Sequence, residues 1–221
     1  NQESSLAEVM IIASALSVQD PKERPLDKQQ AADQCHREYL DEDSDFVGFV
    51  NLWNSYEEQR QELSSNQLRK YCSKHFLNFM RMREWRDVHR QLHLACKSLG
   101  YTEQSTPASY KSVHVALLSG LLSHIGFKQE NKEFLGARNR RFLVFPGSTQ
   151  YKKPAKWLMV SELVETSKLY GRTAAKIDPL WLEPLAKHLV KKSYSEPRWQ
   201  KKRAQVTAYE QVVLYGLILV Q

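Results

Sequence analysis

From Leu68 to Leu99 the residues Cys72, Phe76, Phe79, Met82, Trp85, Val88, Leu92 and Ala95 recur every three or four positions, until Gly100 ends the series. A strand alternates its faces every two residues, so this spacing belongs to a helix, either one long helix or two with a new start near Ser73. The opposite side of the pattern carries Arg69, Lys70, Lys74, Arg81, Arg83 and Arg90, interspersed with Glu84 and Asp87. A charged helix side is ordinarily just solvated. Its sign is informative here, because this is the one basic stripe in an acidic half of the chain.

The residues before it are helical in pattern too. Leu6, Val9, Met10, Ala13 and Leu16 share three-four spacing, broken by Asp20-Pro21 and Arg24-Pro25. A second helix is expected over about 27–40, and a third with Phe46, Phe49, Val50 and Trp53 on its buried face. Ser44 or Asp43 would serve as its N-cap. The polar stretch YTEQSTPASYKS (101–112) is the expected boundary, followed by a helix over about 112–124. Then FLGARNRRFLVF, KWLMVSELVETS and KLYGRTAAKI read as short strands separated by turn residues. IDPLWLEPLAKHLV reads as a short helix opening at Asp178-Pro179, and QVTAYEQVVLYGLILV returns to strand. The expected fold is α+β, an N-terminal helical bundle followed by a small OB-type β-barrel with flanking helices. SH3-like barrels and other small sheets share that pattern. The expected divisions are 1–104, 105–190 and 191–221. The chain opens without methionine and ends in the apolar run Val212–Val220, so a piece of a longer protein is expected.

Charge divides along the same line. Residues 1–100 hold 13 Lys and Arg against 16 Asp and Glu, whereas residues 101–221 hold 19 against 9. The basic second part makes a polyanion a plausible partner. Three cysteines, with no Cys-x-x-Cys pair, fit a reduced, cytoplasmic protein, and no apolar run reaches membrane-spanning length.

The chain has no phosphate-binding glycine loop, no dinucleotide fingerprint, no nucleophile elbow and no H-E-x-x-H motif, so no catalytic residue and no cofactor is expected in it. His89, His93 and Cys96 have the spacing to share a helix face as metal ligands, but unrelated polar positions explain them more simply. Asp41, Glu42, Asp43 and Asp45 read as a capping loop. Binding chemistry is concentrated elsewhere. Arg138, Arg140 and Arg141 lie on or beside a strand, and Lys152, Lys153 and Lys156 follow the Pro146-Gly147-Ser148 turn. Barrel pairing would bring both clusters toward one rim, where guanidinium groups pair with phosphate and the Ser148 hydroxyl adds a neutral donor. Phe142, Phe145, Tyr151 and Trp157 are near enough for base stacking, although most of the run FLVF has to be buried.

Three segments in order, SALSVQDPKERP, SDFVGFVNLWNSY and LRKYCSKHFLNFMRMREWRDVHRQL, resemble the helicase-associated region of DEAH-box RNA helicases. VHVALLSGLLSHIG, FLGARNRRFLVFPGS and KWLMVSELVETSKLYGRTAAKIDPLW resemble the OB-fold domain that follows it in the same family, so the likeness covers roughly residues 6–190. The bacterial branch, with its C-terminal extension, would account for the remainder. The resemblance implies a ratchet-like helical unit and an OB fold that hold and guide single-stranded RNA. The RecA-like motor domains that hydrolyse ATP with Mg are not in this chain, which would be inactive alone. It also implies that the helix bearing Asn78, Arg81 and Arg83 faces the RNA, and that the Arg138–Arg141 strand with its Pro-Gly-Ser turn lies near RNA or a motor domain. The partners expected on this basis are single-stranded RNA, the motor domains and the ribosome. A protein-docking module with little RNA affinity is the competing expectation.

Overall fold

In the computed structural model, which describes residues 2–200 and 205–220, the periodic series forms two helices. They are α4 (Ser65–Lys74) and α5 (Phe79–Ser98), preceded by α1 (Leu6–Leu16), α2 (Gln29–His36) and α3 (Asp45–Glu62). The break falls at residues 75–78 rather than at Ser73. Phe76 turns left-handed there (φ +54°), and the Leu77 amide reaches back to the Cys72 carbonyl at 2.8 Å. Asn78 then restarts the helix, its side-chain oxygen accepting from the amides of Met80 and Arg81, both at 3.1 Å. The chain divides into two compact units, Asn1–Ala116 and Leu117–Gln221.

The first unit is built around Trp85, which is fully buried with Ile11, Ala15, Leu52, Trp53, Tyr56, Leu68, Cys72, Leu77 and Met82. Burial of this kind supplies most of a helical unit's stability, at roughly 25 cal/mol per Å² of apolar surface. The Trp85 indole is not left with an unpaired donor; it gives its N–H to the Ile11 carbonyl (3.1 Å) and the Ser14 hydroxyl (2.9 Å). The apolar spacing of α5 runs on past this core, but the burial does not. Ala95 and Leu99 are exposed, where the periodicity predicted a buried face, because the core of this unit ends near Val88. The segment between the two prolines is extended and zips onto the α4–α5 junction. Glu23 N–H donates to the Phe76 carbonyl and Asn78 N–H to the Pro21 carbonyl, both at 2.8 Å.

Helix α6 (Tyr110–Leu121) precedes the β-rich part. Strands β1 (Ile125–Lys128), β2 (Glu133–Gly136), β3 (Arg141–Val144), β4 (Trp157–Glu165) and β5 (Leu169–Lys176) close into a barrel of order β1-β2-β3-β5-β4. β3 and β5 are the parallel pair that completes the circuit. The run FLGARNRRFLVF is thus two strands and a tight turn, and IGFK supplies a strand missed in the sequence because it directly follows a helix. The interior is filled by Phe134, Phe142, Val144, Leu158, Val160 and Ala174. Glycine makes room for the Phe142 ring. A Cβ on Gly126 would stand 2.5 Å from it, one on Gly171 3.0 Å and one on Gly136 3.2 Å.

Asp178 caps the next short helical segment with Pro179 at its first position, its carboxylate accepting from the Leu180 amide at 2.9 Å. A one-turn helix, α7 (Leu182–Leu185), follows. Strands β6 (Lys191–Gln200), β7 (Gln205–Leu214) and β8 (Leu217–Val220) then form a separate antiparallel sheet. Its apolar residues Val212, Leu214, Leu217 and Leu219 are buried, which explains the hydrophobic run near the end of the sequence.

Candidate nucleic-acid interface

The two basic clusters of the barrel lie at opposite ends of β3, not along one rim. Arg141 opens the strand and Val144 closes it, so the arginine turn precedes it and the Pro-Gly-Ser loop follows, about 10 Å further along. The pairing requires this, since Leu135 faces Arg141 at one end while Glu133 faces Leu143 at the other.

At the first end, Arg138 and Asn139 are the two central residues of the β2–β3 turn, at φ +57° and +59°. Arg138, Arg140 and Arg141 are all exposed. Arg141 reaches Glu133 across the hairpin at 3.2 Å, a surface pair that contributes about 0–1 kcal/mol. Arg138 and Arg140 have no ionic partner among the described residues, so two guanidinium groups are available to an anion.

At the second end, Asn131, Lys132, Leu143, Val144, Pro146, Tyr151, Pro154 and Tyr170 line a cleft of about 140 Å³. Lys152 and Lys153 are exposed beside it in the same loop. The Ser148 hydroxyl accepts from the Gln150 amide at 3.1 Å, which makes it part of the loop's own scaffold. The aromatic candidates divide. Phe142 and Trp157 are core residues, whereas Phe145 and Tyr151 are 40% and 41% exposed. Phe145 packs edge-on to Tyr170, and the Arg172 guanidinium lies 5.2 Å from the centre of its ring. Lys132 and Tyr170 were not legible as site residues. Each is an isolated residue near a turn, and only barrel closure brings them to one cleft. OB folds hold oligonucleotides at the strand 2–3 face between the β1–β2 and β4–β5 loops, and this cleft joins the β1–β2 turn to the start of β5.

The helical candidates have structural duties. The Asn78 carboxamide caps α5 and donates to Glu23 at 2.7 Å. Arg81 donates to the Asp20 carbonyl at 3.1 Å, tying α5 to the extended segment. Arg83 is exposed. His89 packs against the Trp53 ring, with centroids 4.4 Å apart, and burial lowers its pKa. His93 pairs with Glu103. Among the described residues no three His, Cys, Asp or Glu side chains converge to hold a metal ion, and no helix is long and apolar enough to cross a membrane.

Residues 113–189 match a family model described as the oligonucleotide/oligosaccharide-binding (OB) fold. Over 214 residues, 96% of its length, the chain is 56% identical to the ATP-dependent RNA helicase HrpA of Escherichia coli (strain K12). It is 54% identical over the same share to the HrpA homolog of Haemophilus influenzae. The pre-mRNA-splicing factor ATP-dependent RNA helicase prp22 of Schizosaccharomyces pombe is 26% identical over 81% of the chain. The chain spans about 16% of the length of the two bacterial relatives and 15% of the third.

Proposed function

This chain is homologous to the OB-fold-bearing part of HrpA-type DEAH-box RNA helicases, and from that premise we propose that it holds and guides single-stranded RNA while motor domains elsewhere in the helicase hydrolyse ATP with Mg. The observation that carries this reading is the cleft between the β1–β2 turn and β5, lined by Lys132, Tyr151 and Tyr170 and flanked by Lys152 and Lys153. Cations that follow a phosphate backbone beside faces on which bases stack make up the general single-strand grip. The arginine turn at the other end of β3 extends the cationic path. Within the helical unit, taken by itself, Arg83 would contact RNA from α5, with Asn78 and Arg81 holding that helix in place.

Neutralising a phosphate releases counterions, so log K for a single strand falls with log salt by about 0.7 per contact. Anisotropy titrations of a labelled oligoribonucleotide across a salt series measure that slope directly. Replacing Arg138, Arg140 and Arg141 together by Ala reduces it by roughly 1–2. If this variant and the Lys132, Lys152 and Lys153 triple Ala variant both keep the full slope, the basic surface docks on the motor domains instead.

A further inference from the structure

Two hairpin tips meet in the second unit. The β2–β3 connection is Arg138-Asn139, both at positive φ, with the Arg140 amide donating to the Ala137 carbonyl at 3.3 Å. The β7–β8 connection is Tyr215-Gly216 at φ +50° and +90°, between the paired Leu214 and Leu217. Both have the left-handed two-residue geometry that matches the twist of a hairpin. In such a turn the amide and carbonyl of the first central residue point away from the hairpin and find no partner within it. Here one outward group of each turn is paired, because the Arg138 amide donates to the Tyr215 carbonyl at 2.9 Å. Gly216 lies close by, where an added Cβ would stand 3.8 Å from Asn139 Oδ1.

The two turns are unequal in local preference. Tyr215-Gly216 ends in the residue best suited to positive φ, and burial of Leu214, Leu217 and Leu219 anchors the strands on either side. Arg138 and Tyr215 are equally crowded at the first positions, φ +57° and +50°, so the difference lies at the second, where Asn139 accepts positive φ less freely than Gly216 does. The arginine turn therefore takes its shape partly from the neighbouring tip.

We propose that the β7–β8 tip is a positioning element for the arginine turn. Docked on Tyr215, the turn presents Arg138, Arg140 and Arg141 in one fixed arrangement to a phosphate backbone, and Gly216 is the positioning residue that keeps the tip in register. This role rests on the RNA reading above. Because the contact is shared, RNA bound at the arginines also strengthens the docking of the C-terminal sheet.

The test uses the full chain with Gly216→Val, since a β-branched residue does not accept φ +90°. Amide hydrogen exchange at Arg138 reports the contact, and the RNA salt slope reports its consequence. The expected result is exchange faster by roughly tenfold and a slope reduced by about 1–2, as in the arginine triple variant. Gly216→Asn, which tolerates positive φ, restores both readouts, and Gly216→Ala gives intermediate values should the valine variant fold poorly. Gly100→Val, also at positive φ but in the first unit with open space around it, leaves both unchanged. Unaltered Arg138 exchange in Gly216→Val overturns the positioning role, as does faster exchange with an intact slope. A full slope in the arginine triple variant instead overturns the RNA reading of the turn, while the exchange measurement still reports whether the tips are joined.

Discussion

Ser44 and His114 are joined by a 2.7 Å hydrogen bond between side chains seventy residues apart. His114 Nδ1 faces the Tyr110 carbonyl at 2.6 Å, which can only accept, so Nδ1 carries the proton and Nε2 receives the Ser44 hydroxyl. The same Ser44 oxygen accepts from the Val47 amide and caps α3. A neutral imidazole is therefore part of the helical unit's architecture, and burial lowers the His114 pKa.

Burial also lowers the pKa values of His36 and His89, so all three histidines act in one direction. Each folded-state pKa lies below the ordinary value of 6.5, so the unfolded chain takes up protons first as the pH falls. The thermal midpoint is expected to be flat above about pH 7 and to drop progressively below about 6.5. His114→Gln should make that drop shallower. A midpoint constant from pH 7.5 to 5.5 would refute the assignment.

Trp85 has two acceptors for one N–H, and this predicts unequal effects of substitution. Trp85→Phe removes volume from a fully buried site as well as the hydrogen bonds, and should cost about 2–4 kcal/mol by urea denaturation. Ser14→Ala leaves the Ile11 carbonyl as acceptor and should cost no more than about 1 kcal/mol. Equal losses from the two substitutions would show that the ring's packing is not the larger contribution at this site.

Asn78 is expected to behave as a cap. Asn78→Ala should destabilise the first unit by about 1–2 kcal/mol. Asn78→Asp keeps the accepting oxygen, loses the donor to Glu23 and should lie in between. An alanine variant of wild-type stability would remove the capping role and leave the residue available for RNA alone.

Gly171 faces the barrel interior with Val160 and Phe142 at 2.7 and 3.0 Å from an added Cβ. Gly171→Ala overpacks a core whose neighbours are themselves buried, and a loss of about 1–3 kcal/mol is expected. A double variant with Phe142→Leu should recover part of it. No recovery would mean that the clash is absorbed elsewhere.

The cleft predicts a stacking contribution separate from charge. Tyr151→Ala should weaken oligoribonucleotide binding by about 1–3 kcal/mol with the salt slope unchanged, whereas Lys132→Ala should lower the slope by about 0.7. A Tyr151 variant with wild-type affinity would place the bases outside the cleft.

Much of this organisation is legible from one-dimensional spacing. Three-four periodicity marks α1, α3 and α5, Ser44 and Asp178-Pro179 announce helix starts, and β-branched runs between turn residues mark the barrel strands, because each of these signals acts within a few residues. What spacing could not convey is where a periodic face stops being buried, as at Ala95 and Leu99, since burial depends on a neighbour and not on the helix. Nor could it separate the arginine turn from the lysine loop. The two clusters are close in sequence, but a strand of four residues carries the chain from one end of the barrel to the other, so sequence proximity becomes distance. Conversely, Lys132, Tyr151 and Tyr170 are remote along the chain and meet because antiparallel and parallel pairing closes the barrel, and Arg138 meets Tyr215 through a hydrogen bond between two hairpin turns. Local propensity decided which residues would be helix, strand and turn, and long-range pairing decided which of their side chains share a surface.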